Sequence, residues 1–546
     1  MKYDICIIGS GAGAGPIAYE LTKAGKKVLI LEKGAIYSEK DFSKDEIAFV
    51  RRYIVTPKLK DEYHVIEEKI DGKWYKFPTY ETGWSFWNGN ILGGSSNFMS
   101  GYFHRLKPND FKLKTVYGKV EGANIEDWPI SYEDMEPYYT KVESRVGVSG
   151  SITEYKHHEP RSTKEYAYPA LEEHPIVNLF DKSCKNLKYT SYKVPRAIIS
   201  TAKDKRNPCY YSNYCGSYAC SSGAKGSSRA SLLVDALQTG NLTIKAEAFV
   251  YKLDSSKDEV TKAYYFTKEG TKKEVEAKLF VMAAQAVESS RLLLNSKNKF
   301  YPNGLANSSN QVGRNMVFTG GGIGSGEFDE SNLTKEELFT QGFFVNRALK
   351  DWYYTNDFKG GTVDFLFEHA NPIRRANSLK RDDNGNLLYG KALQDKLHEN
   401  FTKKRVLTFE VFTDWMPNDD CFVSIDEKYK DKYGVPVANI RIGAHKQDVK
   451  VGKFLAKKAM KVLKQMGAKN IDANISPLPS QNLQAGGCRF GDNPKTSVLN
   501  KYCQSHDLKN LFVTDGSFMP TGGSVPHTWT IYANSFRVAD YIKTIL

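Results

Sequence analysis

Three groups of residues in this chain carry chemistry by type and spacing. The first is the run Gly9-Ser10-Gly11-Ala12-Gly13-Ala14, followed by Glu32, 23 positions after Gly9. Glycines so placed let backbone amides approach a pyrophosphate, and an acid at that distance accepts from the ribose hydroxyls of a dinucleotide. The second is His527, directly after Pro526. An imidazole at a helix N-terminus is held neutral and can take a proton. The third is Cys209, Cys215 and Cys220, three thiols within twelve residues of turn-forming sequence. Such a loop can wrap three thiolates around a [3Fe–4S] cluster, whereas tetrahedral zinc needs a fourth ligand. A disulfide with one free thiol, or three inert thiols, are the other readings of that loop.

The elements that must position these groups are legible around them. Tyr3–Ile8 reads as an apolar strand, Pro16–Ala24 as a helix stopped by Gly25, and 27–31 as a second strand ending at Glu32. Strand, glycine turn, helix, strand and terminal acid in that order form a dinucleotide-binding unit. Near the C-terminus, Leu511–Val513 is an apolar strand running into Asp515-Gly516, a strand-end turn suited to a cofactor. Pro526 then opens a helix over Thr528–Tyr541, whose positive end can stabilise anionic charge on a ligand. Between these ends, Arg405–Phe412 alternates polar Thr408 and Glu410 with apolar Leu407, Phe409 and Val411, and 365–367 and 422–425 are also strand-like. An antiparallel sheet carrying a substrate pocket is the expectation for this stretch.

Length and composition bound the rest. The 546 residues suffice for two to four domains of roughly 100–200 residues each, and 40% hydrophobic residues exclude gross disorder. Lys+Arg 77 against Asp+Glu 63 gives a net charge of +14, with the lysines scattered and no nucleic-acid motif, so the surplus reads as a solvated surface. The densest patch, Lys450–Lys464, interleaves with Leu455, Ala459, Val462 and Leu463 at helical spacing and reads as an amphipathic helix with a wet lysine face. No run approaches the ~18 apolar residues of a membrane span, and the early strand leaves no room for a signal peptide. Among the eight cysteines, Cys6 falls within the first strand and reads as a small core residue. His369, His445 and His506 have no special claim.

Further blocks identify a resemblance. Asn88 to Met99, containing Gly93-Gly94-Ser95-Ser96-Asn97, is similar to the G-G-S-S/T segment of the glucose–methanol–choline (GMC) oxidoreductases. Trp128–Tyr139, Ala283–Leu294, Gln311–Asn315, Gly486–Gly491, Asn510–Ser517 and Pro520–Gly523 resemble further blocks of that family in the expected order. The resemblance implies an α/β architecture, a Rossmann-like FAD-binding domain interleaved with a substrate domain on an antiparallel sheet. The expected division gives 1–45, 80–145, 205–325 and 480–546 to the FAD domain, and 46–79, 146–204 and 326–479 to the substrate domain and connectors. FAD rather than NAD follows from the later motifs, because the family closes its flavin site with the C-terminal segment. The residues expected to hold it are Gly9, Gly11, Ala14, Glu32, Gly93, Gly94, Ser95, Asn97, Asp515, Gly516 and Thr528. Some relatives attach flavin covalently through a histidine in the G-G-S-S/T segment. Here Asn97-Phe98 stands there and His104 is several residues away, so dissociable FAD is expected.

Alcohol oxidation by a flavin needs a hydride acceptor and a base for the hydroxyl proton. The family commonly places a histidine at the position aligned with Leu483, which here is flanked by Gln481, Asn482 and Gln484. That leaves His527 as the candidate base, with Asn534 on the same helical face as a second wall residue. The cysteine-bearing loop is similar to the insert of bacterial membrane-associated sugar and sugar-acid dehydrogenases. Among these, the chain resembles the gluconate 2-dehydrogenase flavoprotein family. The resemblance implies oxidation of a secondary alcohol of a sugar acid, sugar or polyol, with electrons passing through the cluster to a cytochrome c. It also implies a small exported partner subunit, membrane association only through partners, and work at the periplasmic face, with a cytoplasmic location as the alternative. Two other readings stay open: an oxidase of the same fold using oxygen, and a flavin electron-transfer subunit without alcohol chemistry.

Overall fold

The computed structural model describes residues 2–49, 58–216, 218–367, 371–382 and 384–546. Its first sheet is a five-stranded parallel one, ordered Leu511–Val513, Ala277–Met282, Tyr3–Ile8, Val28–Leu31 and Leu242–Lys245. Val28–Leu31 is buried at every position and Tyr3–Ile8 at all but one, as parallel strands covered on both faces must be. Burying each Ile, Leu or Val of these strands contributes about 1.5–3 kcal/mol, which fixes the strand ends where the glycine turn begins. Cys6, fully buried in the first strand, is one of these core side chains.

The helix Gly15–Lys23 starts on Pro16 and buries Ile17, Ala18 and Leu21. The chain's two ends meet on this helix. Thr514 Oγ1 and Ser535 Oγ both donate to the Gly13 carbonyl, at 2.8 and 2.6 Å. A Cβ on Gly13 would lie 2.6 Å from the Thr514 carbonyl oxygen, so only glycine permits this approach. The helix Thr528–Ile545 packs against Tyr132–Val142, through Tyr139 OH with Thr530 Oγ1 at 2.9 Å and Trp529 Nε1 to the Tyr139 carbonyl at 3.2 Å.

A six-stranded sheet forms the second layer, ordered Lys469–Asn474, Thr319–Asp329, Lys404–Asp414, Gly361–Phe367, Arg347–Leu349 and Tyr192–Lys193, antiparallel throughout. Residues 404–410 alternate in burial. The face carrying Phe409 and Phe365 packs on the helix Lys446–Gln465, whose Val451, Leu455, Ala459, Val462 and Leu463 are buried there. The lysine patch of the sequence is thus the outward face of a helix capped by His445.

Two details depart from the sequence reading. The strand Cys421–Lys430, containing 422–425, does not join the substrate sheet but a separate four-stranded one with Pro436–Ile442, Val65–Ile70 and Lys73–Pro78. Thr319–Ser325, given to the cofactor domain at the sequence level, pairs along Lys404–Asp414 instead. For 422–425 the period-2 alternation specifies a strand but not its neighbour, and the boundary at 325 followed the family blocks, which carry no strand pairing.

Candidate active site

The two layers enclose a cavity of about 450 Å³. Gly9, Gly11 and Glu32 form part of its wall from the parallel sheet, Gly94 and Ser95 from the following turn, and Asp515, Gly516 and Thr528 from the C-terminal segment. Leu483, Gln484, His527 and Glu410 bound the same space. Eight of the eleven residues expected to hold the cofactor therefore face one cavity. The other three, Ala14, Gly93 and Asn97, shape it from behind. Ala14 is fully buried at the start of the first helix, Gly93 N donates to Ser10 Oγ at 2.8 Å, and Asn97 Nδ2 donates to the Leu92 and Gly94 carbonyls, each at 3.0 Å.

These residues fit a dinucleotide. A Cβ added to Gly11 would meet nothing within 4 Å, so the turn presents bare backbone to open space in the cavity wall. Glu32 is held at the strand end by Ser10 Oγ and by the Gly34 amide, the latter 2.7 Å from Oε1. Burial pushes its carboxyl above the usual range, against the pull of these donors. Asp515 is fixed by the amide of Ser517 at 2.9 Å and the hydroxyl of Ser289 at 2.5 Å. The amide of Gln285 also donates to it, at 3.2 Å. Gln285 follows the central strand with φ +86°, caps the next helix through its side chain, and donates from Nε2 to Gln484 Oε1 at 2.8 Å. Sequence reading passed over Gln285 within its family block; its only signal was its place between a strand and a helix.

His527 lies on the cavity wall, but both its ring nitrogens are engaged. Nδ1 sits 3.0 Å from the Gly522 carbonyl oxygen and Nε2 2.9 Å from that of Leu483. Burial lowers its pKa to about 4 despite those two acceptors, so the ring is neutral at pH 7. Leu483, at the position of the missing histidine, takes a left-handed φ of +59°, and its carbonyl faces His527. Asn534 does not reach the cavity wall. It is fully buried, its Nδ2 donates to Cys503 Sγ at 3.2 Å, and its Oδ1 accepts from Arg537 at 3.0 and 2.9 Å. The expectation that it lines the site is corrected: on the helix Thr528–Ile545 this side chain ties down the Cys503 turn.

His104 is buried away from that wall, with Nε2 3.1 Å from Asp364 Oδ2. His506 bonds to Ser497 and Gly491, and His369 lies outside the described residues. Glu410, which the sequence reading treated only as one polar position of a strand, faces the cavity from the substrate sheet.

Cys209, Cys215 and Cys220 gather against one small apolar cluster with Ile198, Ala224 and Phe344. All eight cysteines are free thiols, so no disulfide joins the three. Burial pushes the Cys209 thiol up to about 12 and raises that of Cys215. Burial also opposes ionisation of Cys220, but the Lys225 ammonium and Ser222 outweigh it and hold this thiol below its usual value. Among the described residues no group of three or more His, Cys, Asp or Glu side chains is disposed to hold a metal ion. The three thiols therefore do not form a ready ligand set for the expected [3Fe–4S] cluster. No helix among the described residues is long and apolar enough to cross a membrane.

Comparison with known proteins agrees with this geometry. Two GMC oxidoreductase family models match residues 76–318 and 417–535, together most of the chain. The 2-methyl-1,2-propanediol dehydrogenase of Mycolicibacterium austroafricanum is 28% identical, over 99% of this chain and 95% of its own length. The gluconate 2-dehydrogenase flavoprotein of Pantoea cypripedii is 25% identical, over 99% of this chain and 94% of its own. Among solved structures, a variant of the formate oxidase of Aspergillus oryzae superposes with a TM-score of 0.65 at 15% identity, covering 100% of this chain and 98% of its own. The sequence blocks, the glycine turn open to the cavity and the closing C-terminal segment thus have one explanation: the chain belongs to the GMC oxidoreductases, FAD-dependent enzymes acting on CH–OH donors.

Proposed function

We propose that this enzyme oxidises a secondary alcohol of a polar, polyhydroxylated substrate, a sugar, polyol or sugar acid, to the corresponding carbonyl. The observation that carries this reading is that Ser100, Asn371, Glu410 and Asn482 line the same cavity as the glycine turn and offer hydrogen-bonding groups to it. Polar groups fixed at set places along a cleft are how such sites orient a ligand. Gluconate is the first substrate to try, on the strength of the Pantoea cypripedii relative. Bound FAD supplies the hydride acceptor. The protein's share is to hold the dinucleotide on the Gly9–Glu32 unit, to orient the alcohol, and to take its proton.

We propose further that it is a dehydrogenase that hands electrons to a c-type cytochrome, with a small exported partner subunit, at the periplasmic face. No electron-transfer step is routed through the cysteine loop. The test is anaerobic mixing of the purified flavoprotein with a panel of sugars, polyols and sugar acids, followed by a dye acceptor or oxygen. Bleaching of the flavin by a member of the panel, with fast turnover on the dye and slow turnover on oxygen, is the expected result. Fast turnover on oxygen favours the oxidase reading. No bleaching by any alcohol leaves an electron-transfer subunit.

A further inference from the structure

The site lacks the histidine that the family usually offers at position 483, and both ring nitrogens of His527 face backbone carbonyls rather than the cavity. We propose that the hydroxyl proton is taken by Glu410, a carboxylate of the substrate sheet. The proposal rests on the reading that this enzyme oxidises an alcohol.

The geometry of the sheet carries it. Glu410 lies on Lys404–Asp414, directly opposite Asp364 on one side and Ile323 on the other. Directly paired residues of antiparallel strands share a face, here the one turned to the cavity rather than to the helix Lys446–Gln465. Among the described residues the Glu410 carboxyl has no hydrogen-bond or ion-pair partner, and it is half-buried in the cavity wall. Other acidic groups of the wall are committed: Glu32 to Ser10 and Gly34, Glu288 to His64 and Arg291, Asp515 to Ser289 and Ser517. An unengaged carboxyl facing the substrate space is what a proton acceptor requires.

Its surroundings tune it and give the proton an exit. Burial raises its pKa, the Asp364 charge adds to that, and the Arg196 guanidinium opposes, leaving it at about 7. Arg196 is itself fixed by Asn346 Oδ1 and the Ser100 carbonyl, each at 2.8 Å, and lies over the Tyr102 ring. Asp364 is fully buried, holds His104 at 3.1 Å, and leaves Oδ1 without a partner. From Thr319–Asp329 the facing side chain is the apolar Ile323, 61% exposed, so Glu410 stands between a buried carboxylate and the solvent-facing side of the wall. In the step itself the C–H bond breaks and its electron pair leaves with the hydrogen as hydride to bound FAD. The O–H bond breaks, its proton passes to a Glu410 carboxylate oxygen, and its electron pair becomes the second bond of the carbonyl. The neutral Glu410 then returns its proton to water.

The experiment is anaerobic flavin reduction across pH 5 to 9 in the wild-type holoenzyme and in Glu410→Gln, with infrared difference spectra of the carboxyl band over the same range. In the wild type the rate should rise through about pH 7, as the carboxylate forms, together with loss of a protonated-carboxyl band. Glu410→Gln should keep its flavin spectrum, lose that band, and reduce flavin about 10²–10⁴-fold more slowly without the inflection. Asp364→Asn, which removes the neighbouring charge, should move the inflection to lower pH. A Glu410→Gln rate within a few-fold of wild type, or a loss confined to substrate affinity at an unchanged limiting rate, overturns the proposal. If Glu410→Gln fails to fold, Glu410→Leu is measured instead, and an unchanged rate and inflection there overturn it equally. A wild type bleached by no alcohol strikes down the oxidation reading and this proposal together, whereas a bleached wild type with an unimpaired variant strikes down this one alone.

Discussion

The Leu483 carbonyl oxygen stands 2.9 Å from His527 Nε2, so the residue that replaces the family's usual histidine occupies, through its backbone, the nitrogen a base would use. The other ring nitrogen faces the Gly522 carbonyl at 3.0 Å. A neutral imidazole has one N–H and can satisfy only one of these acceptors. Protonation would satisfy both, but burial outweighs that gain and holds the pKa at about 4.

His527 is therefore expected to act on stability more than on rate. Its pKa is lower folded than unfolded, so between about pH 6.5 and 4 the unfolded chain binds the extra proton and stability falls as pH falls. The contribution lost over that window is on the order of 3 kcal/mol as an upper limit. In His527→Gln the thermal midpoint should fall less steeply between pH 7 and 4.5 than in the wild type, and flavin reduction should slow by less than about tenfold. A reduction rate lower by the ~10²–10⁴-fold of a lost general base would return the proton-accepting role to His527.

The glycine turn separates cofactor binding from folding at two neighbouring positions. Gly11 faces open space, whereas a Cβ on Gly13 would press within 2.6 Å of the Thr514 carbonyl. Gly11→Val should leave the thermal midpoint of the FAD-free protein within a degree or two and abolish or greatly weaken FAD binding by filling the space beside the turn. Gly13→Ala should lower stability by about 1–3 kcal/mol through overpacking. Equilibrium FAD titration and thermal melts of the two variants give the comparison, and equal stability losses would refute the assignment of Gly11 to the ligand.

How much of this site was legible in sequence depended on whether its parts were local. Gly9 to Glu32 is one continuous strand–turn–helix–strand, and each residue's role follows from its place in that unit. The Asp515-Gly516 turn was likewise readable because an apolar strand precedes it. Glu410 was visible only as the polar half of an alternation. That it faces a cavity depends on its register with Asp364 and Ile323, neighbours separated from it by some 46 and 87 residues of chain. Asn534 shows the converse error. Helical spacing from His527 put it on the right face, but the helix turns at that height towards Cys503 and Arg537.

Asn534 gives a third prediction. Its amide bridges a buried thiol and the Arg537 guanidinium, which is only 9% exposed. Asn534→Ala would leave that buried cation short of an acceptor, at a cost of about 1–3 kcal/mol. The limiting rate of flavin reduction should stay within a few-fold of wild type, because the side chain is absent from the cavity wall. A loss of rate at unchanged thermal midpoint would place Asn534 back among the residues that act on substrate.

The last prediction concerns the three clustered thiols. Cys209, pushed up to about 12 by burial, stays protonated, whereas Cys220 is held below the usual thiol value by Lys225 and Ser222 against the effect of burial. The thiolate is the nucleophile, so in protein prepared with a chelator Cys220 should be alkylated by iodoacetamide at neutral pH well before Cys209 or Cys215. Lys225→Met should slow that labelling, with mass spectrometry of peptides as the readout and Cys209 as internal control. The sign with pH follows: labelling of Cys220 should be appreciable at a pH where an ordinary thiol, near 8.5, is mostly protonated. Equal labelling of all three would show that the Lys225 charge does not reach Cys220. Protection of all three in protein purified without chelator, with stoichiometric iron and acid-labile sulfide, would mean that the loop closes around a cluster and rearranges from the geometry described here to do so.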